Sequence, residues 1–201
     1  MRCKYIILLP ILGALVGASC PSYDAIASKF AATLDPKTYQ GFWYEVASAN
    51  VFLTKGCECT RYNFSMTDDI HFTDIFTCNK DSPTGKPYVL ENHGSVDPKT
   101  PGKMVESLGP VSPPYWVIQL WGNESAYDYS LVYACLDLIV TKSEYIYFFS
   151  RTSTIPEEQM SEMRAYASKY DIDLKNVKDV PMAGCTWKTQ QAQKFSRGFL
   201  N

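Results

Sequence analysis

Between Gly41 and Arg151 the chain falls into eight short segments rich in β-branched and aromatic residues, and this run constrains the fold more than any other feature. The segments are Gly41 to Ser48, Cys57 to Thr67, Ile70 to Asn79, Tyr88 to Ser95, Lys103 to Leu108, Trp116 to Trp121, Tyr129 to Leu136 and Glu144 to Arg151. Turn residues cut them apart: Asp68-Asp69, Ser82-Pro83-Thr84-Gly85, Asp97-Pro98, Pro113-Pro114 and Gly122-Asn123. Eight strands with short connections leave two architectures, an antiparallel sandwich or an up-and-down barrel. No repeat or linker divides the chain, and 201 residues suffice for one domain with a real core. One helix follows the strands. Thr154 reads as its N-cap, with Glu157 completing a capping box and Pro156 in the first turn. Met160, Met163, Ala167 and Tyr170 then recur on one face, expected to pack outside the strands.

Residues 1–19 read as a secretory signal. Arg2 and Lys4 precede an apolar run from Tyr5 to Ala18, and Gly17, Ala18 and Ser19 offer a cleavage site. The run is shorter than the ~20 residues of a membrane-spanning helix and contains Pro10. Cleavage after Ser19 leaves a domain over 20–186 and a polar tail over 187–201, expected to be disordered. It also turns the net charge from −2 to −4, without the basic excess that phosphate backbones require. Aromatic residues at 14% and hydrophobic residues at 46% exclude a disordered chain.

Cleavage removes Cys3 and leaves Cys20, Cys57, Cys59, Cys78, Cys135 and Cys185. An even number in an exported chain points to three disulfides. A two-residue hairpin turn at Asp68-Asp69 sets Cys59 directly opposite Cys78, and facing Cα atoms about 4.5 Å apart lie within disulfide range. Cys57-x-Cys59 lacks the paired spacing of a zinc site, and His71 and His93 are the only histidines, so no metal is expected. A lipid on Cys20 would strand one cysteine, and Gly17 stands where a lipoprotein signal usually carries leucine. Asn63-Phe64-Ser65 and Asn123-Glu124-Ser125 are glycosylation sequons, at Asn63 and Asn123.

No H-E-x-x-H, G-x-S-x-G or glycine-rich dinucleotide loop occurs in the chain. Thr84-Gly85-Lys86 lacks the earlier glycine of a P-loop and runs into Pro87, so it is a turn. An enzyme is not expected, and neither is a cofactor beyond a non-covalent hydrophobic ligand or pigment.

Gly41-Phe42-Trp43, opening the first strand, resembles the G-x-W signature of the lipocalins. The resemblance extends to Pro114-Tyr115-Trp116-Val117-Ile118, to Tyr129 through Cys135, to Arg151 ending the last strand and to Ile155-Pro156 opening the helix. These segments look like the apolipoprotein D and insect bilin-binding branch of that family, over about Cys20 to Cys185. The resemblance implies an all-β fold, an eight-stranded antiparallel up-and-down barrel with one C-terminal α-helix packed outside. It implies a closed end built from Gly41, Trp43 and Arg151, with the guanidinium over the indole. It also implies disulfides Cys20–Cys135 and Cys57–Cys185, leaving Cys59–Cys78 to the register argument above. With all six paired, no thiol remains for the isomerase chemistry of a few lipocalins. The family's Thr-Asp-Tyr between strands six and seven is replaced by a longer segment, Leu120 to Tyr129, containing Tyr127-Asp128-Tyr129.

The resemblance further implies a secreted protein that carries a lipid, fatty acid, retinoid, bilin or carotenoid inside the barrel. The family's ligand-lining positions fall on Tyr62, Trp116 and Tyr147. Alternation along the strands adds Tyr145 and Phe149 beside Tyr147, and Ile118 and Leu120 beside Trp116. Against this stands a solid core filled by the same aromatics. A second function, binding a protein partner as a pigment-complex subunit or defence protein, would use the barrel as scaffold. Val51, Phe52 and Leu53, in the loop before Gly56, are expected to serve such a partner contact, a ligand lid, or a peripheral membrane or lipoprotein contact.

Overall fold

Eight antiparallel strands close on themselves because each turn is short and each strand pairs with the next. The computed structural model describes residues 19–49, 54–107, 112–138 and 141–186. The expected signal segment (up to residue 18), Val51-Phe52-Leu53 and the expected tail from 187 lie outside the described residues. The strands are β1 (Gly41–Ala49), β2 (Cys57–Met66), β3 (His71–Lys80), β4 (Lys86–Asp97), β5 (Thr100–Ser107), β6 (Pro114–Asn123), β7 (Ala126–Asp137) and β8 (Lys142–Ser150). They form a meander in which β1 closes the barrel. Its first residues pair with β2 (Gly41 with Phe64, Tyr44 with Arg61), and the remainder pairs with β8 (Tyr44 with Ser150, Ala49 with Ile146). A two-residue strand β9 (Lys178–Asp179) pairs with Ala47 and Ser48 on the free edge of β1. The barrel and its outer helix are the architecture the sequence suggested.

Inside, the strands contribute Trp43, Tyr62, Phe64, Phe72, Phe76, Tyr115, Val117 and Phe149 to one buried cluster. A second cluster lies outside, where α-helix α4 (Glu157–Lys169) lays Met163 and Ala167 over Ile118, Leu131, Tyr133, Ile146 and Phe148. Three single-turn helices precede the barrel: α1 (Tyr23–Ile26), α2 (Lys29–Ala32) and α3 (Pro36–Tyr39). Ser28 caps α2, and Asp35 caps α3 with Pro36 at its first position, so these two turns carry their own start signals. The capping box on α4 does not form. The N-cap is Pro156, without a side-chain bond, and the Thr154 carbonyl accepts the Thr152 hydroxyl instead. Ile155, preceding proline, is driven toward extended backbone, so the helix starts after it.

The disulfides depart from two expected pairings. Cys20–Cys135 is present, but Cys57 bonds Cys78 and Cys59 bonds Cys185, in place of Cys59–Cys78 and Cys57–Cys185. The turn between β2 and β3 is the cause. Its loop has three residues, since the Thr67 N–H donates to the His71 carbonyl, and Asp68 Oδ1 accepts from Ile70 and His71 amides. This sets Arg61 against Thr77, while Glu58 still faces Asn79, so a bulge takes up the extra residue at Cys59-Thr60. Cys59 sits there at φ +59°, out of the ladder, and its N–H donates to the Pro181 carbonyl at 2.9 Å. Its sulfur therefore meets the C-terminal segment, and Cys78 is left to Cys57, with Cα atoms 5.5 Å apart.

Candidate functional site

One end of the barrel is shut by a stack built on Gly41. Its φ of +100° suits a residue without a side chain, and a Cβ there would come within 3.5 Å of Arg151 Nη1. Two residues on, Trp43 is 1% exposed, and the Arg151 guanidinium lies 3.6 Å from its ring centre. Arg151 donates to four backbone carbonyls: Nη1 to Phe42, Nη2 to Thr38 and Tyr39, and Nε to Tyr127. The indole N–H donates to the Tyr39 carbonyl at 2.9 Å. Tyr39 and Trp43 rings sit 4.9 Å apart, and Phe64 stacks on Phe72 at 4.3 Å just beyond. Four of the five guanidinium donors and the indole N–H are thus bonded within the plug, which locks the packed rings across this end.

Away from the plug the interior mixes rings and carboxyls. Tyr62 packs edge-on against Phe76 and Phe149, at 5.1 and 5.0 Å, and Phe149 lies parallel to Tyr147 at 5.9 Å. The Tyr62 hydroxyl donates to Glu45 Oε2 at 3.0 Å. Past Glu45 a cleft of about 660 Å³ opens between β1, the start of β2 and the C-terminal segment, lined by Glu45, Ser48, Thr60, Lys55, Lys178 and Asp179 among others.

Of the seven residues expected to line a ligand, Tyr62, Leu120, Tyr147 and Phe149 face the interior cluster, and alternation places half-buried Tyr145 on the Tyr147 side. Trp116 and Ile118 do not. A bulge between Val117 and Gln119 swaps the faces of β6, so Tyr115 and Val117 point inward before it and Leu120 after it. Trp116 packs outside against Tyr23 and Tyr133, and the Ile118 carbonyl accepts from the Ser28 amide and the Tyr166 hydroxyl. Both tie the N-terminal turns and α4 to the barrel wall.

Three carboxyls that the sequence reading passed over also lie inside. Glu45 follows Trp43 by two residues, Asp74 sits between Phe72 and Phe76, and Glu106 follows Met104 by two. That signal was available: an acidic residue at an apolar position of an alternating strand. Burial pushes Glu45 up to about 7 against the bonds from Ser48 and Tyr62. Burial also pushes Glu106 up to about 7, and raises Asp74 well above the carboxylate range, with Glu106 beside it adding to the rise.

A pH dependence of stability follows. Unfolded, these groups ionise near pH ~4, whereas folded Glu45 and Glu106 keep their protons to about pH 7. The folded state binds more protons across that interval, so unfolding free energy falls as pH rises from about 4.5 to 7, and the raised Asp74 adds to the fall. Asp68, lowered to about 2 by the Ile70 and His71 amides, has the opposite slope but only below that window. Urea titrations between pH 4.5 and 8 measure this, and Glu45→Gln should flatten part of the slope. A stability that climbs over the interval contradicts the burial of these carboxyls.

A family model described as a lipocalin-like domain matches residues 34–182. Apolipoprotein D of Rattus norvegicus is 26% identical over 156 residues, covering 75% of this chain and 78% of that protein. Outer membrane lipoprotein Blc of Citrobacter freundii is 26% identical over 175 residues, covering 81% of this chain and 90% of its own. Among solved structures, apocrustacyanin C2 superposes with a TM-score of 0.66 at 19% identity, covering 82% of this chain and 89% of that one.

Proposed function

This chain belongs to the lipocalin family, and from that premise we propose that it is a secreted carrier of a small hydrophobic molecule held inside its barrel. The family and fold are chiefly those of binding proteins, and the six cysteines of the described residues are all paired, leaving no thiol there for the isomerase chemistry of the few lipocalin enzymes. The observation that carries the proposal is the asymmetry of the barrel. One end is closed by Trp43 and Arg151, while beyond it the Tyr62–Phe76–Phe149 rings line the interior and Glu45, bonded to Tyr62, borders the open cleft. An apolar, ring-lined interior entered from one side is the usual form of a small-molecule site. Tyr62, Leu120, Tyr145, Tyr147 and Phe149 are the proposed lining.

Export is part of the proposal and has its own support. Three disulfides belong in an oxidising compartment. Among the described residues no helix is long and apolar enough to cross a membrane. The Cys20 backbone nitrogen lies 2.7 Å from Asp137 Oδ1, so cleavage after Ser19 would make this contact an ammonium–carboxylate pair. The Cys20 sulfur is engaged with Cys135, which leaves no thiol there for a lipid. Asn123, exposed in the β6–β7 hairpin, and Asn63, on the outer face of β2, are the proposed glycan sites. Identification of the small molecule that accompanies the natively purified chain tests the proposal.

A further inference from the structure

We infer that the molecule held in this barrel is a hydrophobic amine, an apolar body with one protonated nitrogen, bound at the Asp74–Glu106 carboxyl pair, with Glu45 adding its charge from β1. The inference rests on the carrier function proposed above and narrows its ligand class.

The three carboxyls come from β1, β3 and β5 and all face inward, on the same strand faces as Trp43, Phe72 and Met104. All three lie within electrostatic reach of both Tyr62 and Tyr147, and Asp74 and Glu106 are neighbours. No lysine or arginine is among the groups acting on any of them. Interiors rarely hold several acidic groups with no cation nearby, since each uncompensated charge costs several kcal/mol.

A separate observation points to a missing donor. Asp74 is 0% exposed, yet neither Oδ1 nor Oδ2 receives a hydrogen bond from the protein, and Glu106 Oε1 is equally bare. Buried polar atoms without partners are scarce in folded proteins and call for an explanation. A shared proton between the two carboxyls accounts for one contact and leaves the other acceptors unfilled. A metal ion does not fit, because among the described residues no three His, Cys, Asp or Glu side chains converge to hold one.

An ammonium does fit. It supplies three N–H donors to carboxylate acceptors, and such charge-assisted bonds are the strong ones. The Tyr62 and Tyr147 rings beside the carboxyls offer the cation further attraction, and Phe76 and Phe149 offer surface to the apolar body. Glu45 also lines the cleft between β1, the start of β2 and the C-terminal segment.

Calorimetric titration of the purified chain with dodecylamine, dodecanol and dodecanoate, each below its micelle concentration, tests the inference. Dodecylamine should bind at least about tenfold tighter than either of the others. Glu106→Gln and Glu45→Gln should each erode that preference and leave dodecanol binding in place. Asp74→Asn should do the same, and the two glutamine variants carry the test if it does not fold. If dodecanoate or dodecanol binds as well as the amine, the amine inference falls and the carrier function stands. An amine preference that survives all the folded variants overturns the assignment to these carboxyls. If none of the three ligands binds, the carrier function itself is contradicted.

Discussion

Replacing Trp43 by alanine should lower the free energy of unfolding by about 3–5 kcal/mol, the loss usual for a large buried ring. The ring is 1% exposed and is held from both sides, by the Arg151 guanidinium at 3.6 Å and by Tyr39 at 4.9 Å. Its removal takes away that packing and opens a cavity at the closed end. Arg151 cannot fill the space, because its donors are committed to the carbonyls of Thr38, Tyr39, Phe42 and Tyr127. Trp43→Phe keeps a ring under the cation and loses the bond to the Tyr39 carbonyl, so it should cost clearly less. Urea unfolding followed by far-ultraviolet circular dichroism compares the variants. A loss below about 1 kcal/mol for the alanine variant would mean the plug does not hold the barrel end together.

The second large effect belongs to the disulfides. Cys59–Cys185 closes a loop of 126 residues and Cys57–Cys78 one of 21. Chain entropy assigns about 5 kcal/mol to the first and about 3 kcal/mol to the second. The double variant Cys59→Ser with Cys185→Ser should therefore unfold at lower urea than Cys57→Ser with Cys78→Ser. The longer bridge also fastens the C-terminal segment, where the Cys59 N–H donates to the Pro181 carbonyl and β9 pairs with β1. Non-reduced peptide mapping gives the pairing itself. A fragment joining Cys57 to Cys185 would contradict the bulge at Cys59.

The strands were legible in the chain because each carries its own alternation and ends at its own turn residues. Trp43 and Arg151 were legible through family resemblance, and the geometry at Gly41 gives the physical reason for their positions. Bulges account for the two main misplacements. In β2 an extra residue at Cys59-Thr60 reassigned two disulfides, and in β6 an extra residue after Val117 turned Trp116 and Ile118 outward. Strict period-two counting has no way to register an inserted residue. Strand β9 is two residues long, too short to show any period, and exists only because β1 offers it an edge. The interior carboxyls are legible only as acids at apolar positions of alternating strands, as with Asp74 between Phe72 and Phe76, a fainter signal than the aromatic residues on the same faces.

These bulges and carboxyls make the interior more specific than a plain apolar pocket. The closed end excludes solvent, the rings supply apolar surface, and Glu45 sits where the cleft meets the interior. A carrier built this way should hold a single kind of molecule by its apolar body and orient it by one polar end.

The most direct measurement of the carrier function is made on the native protein. The chain is purified from its source without detergent, weighed by native mass spectrometry, then denatured and extracted into organic solvent. One predominantly apolar small compound should accompany each chain and be released on unfolding. A chain that keeps its bare mass and yields no compound, or that comes away only with a protein partner, would contradict it.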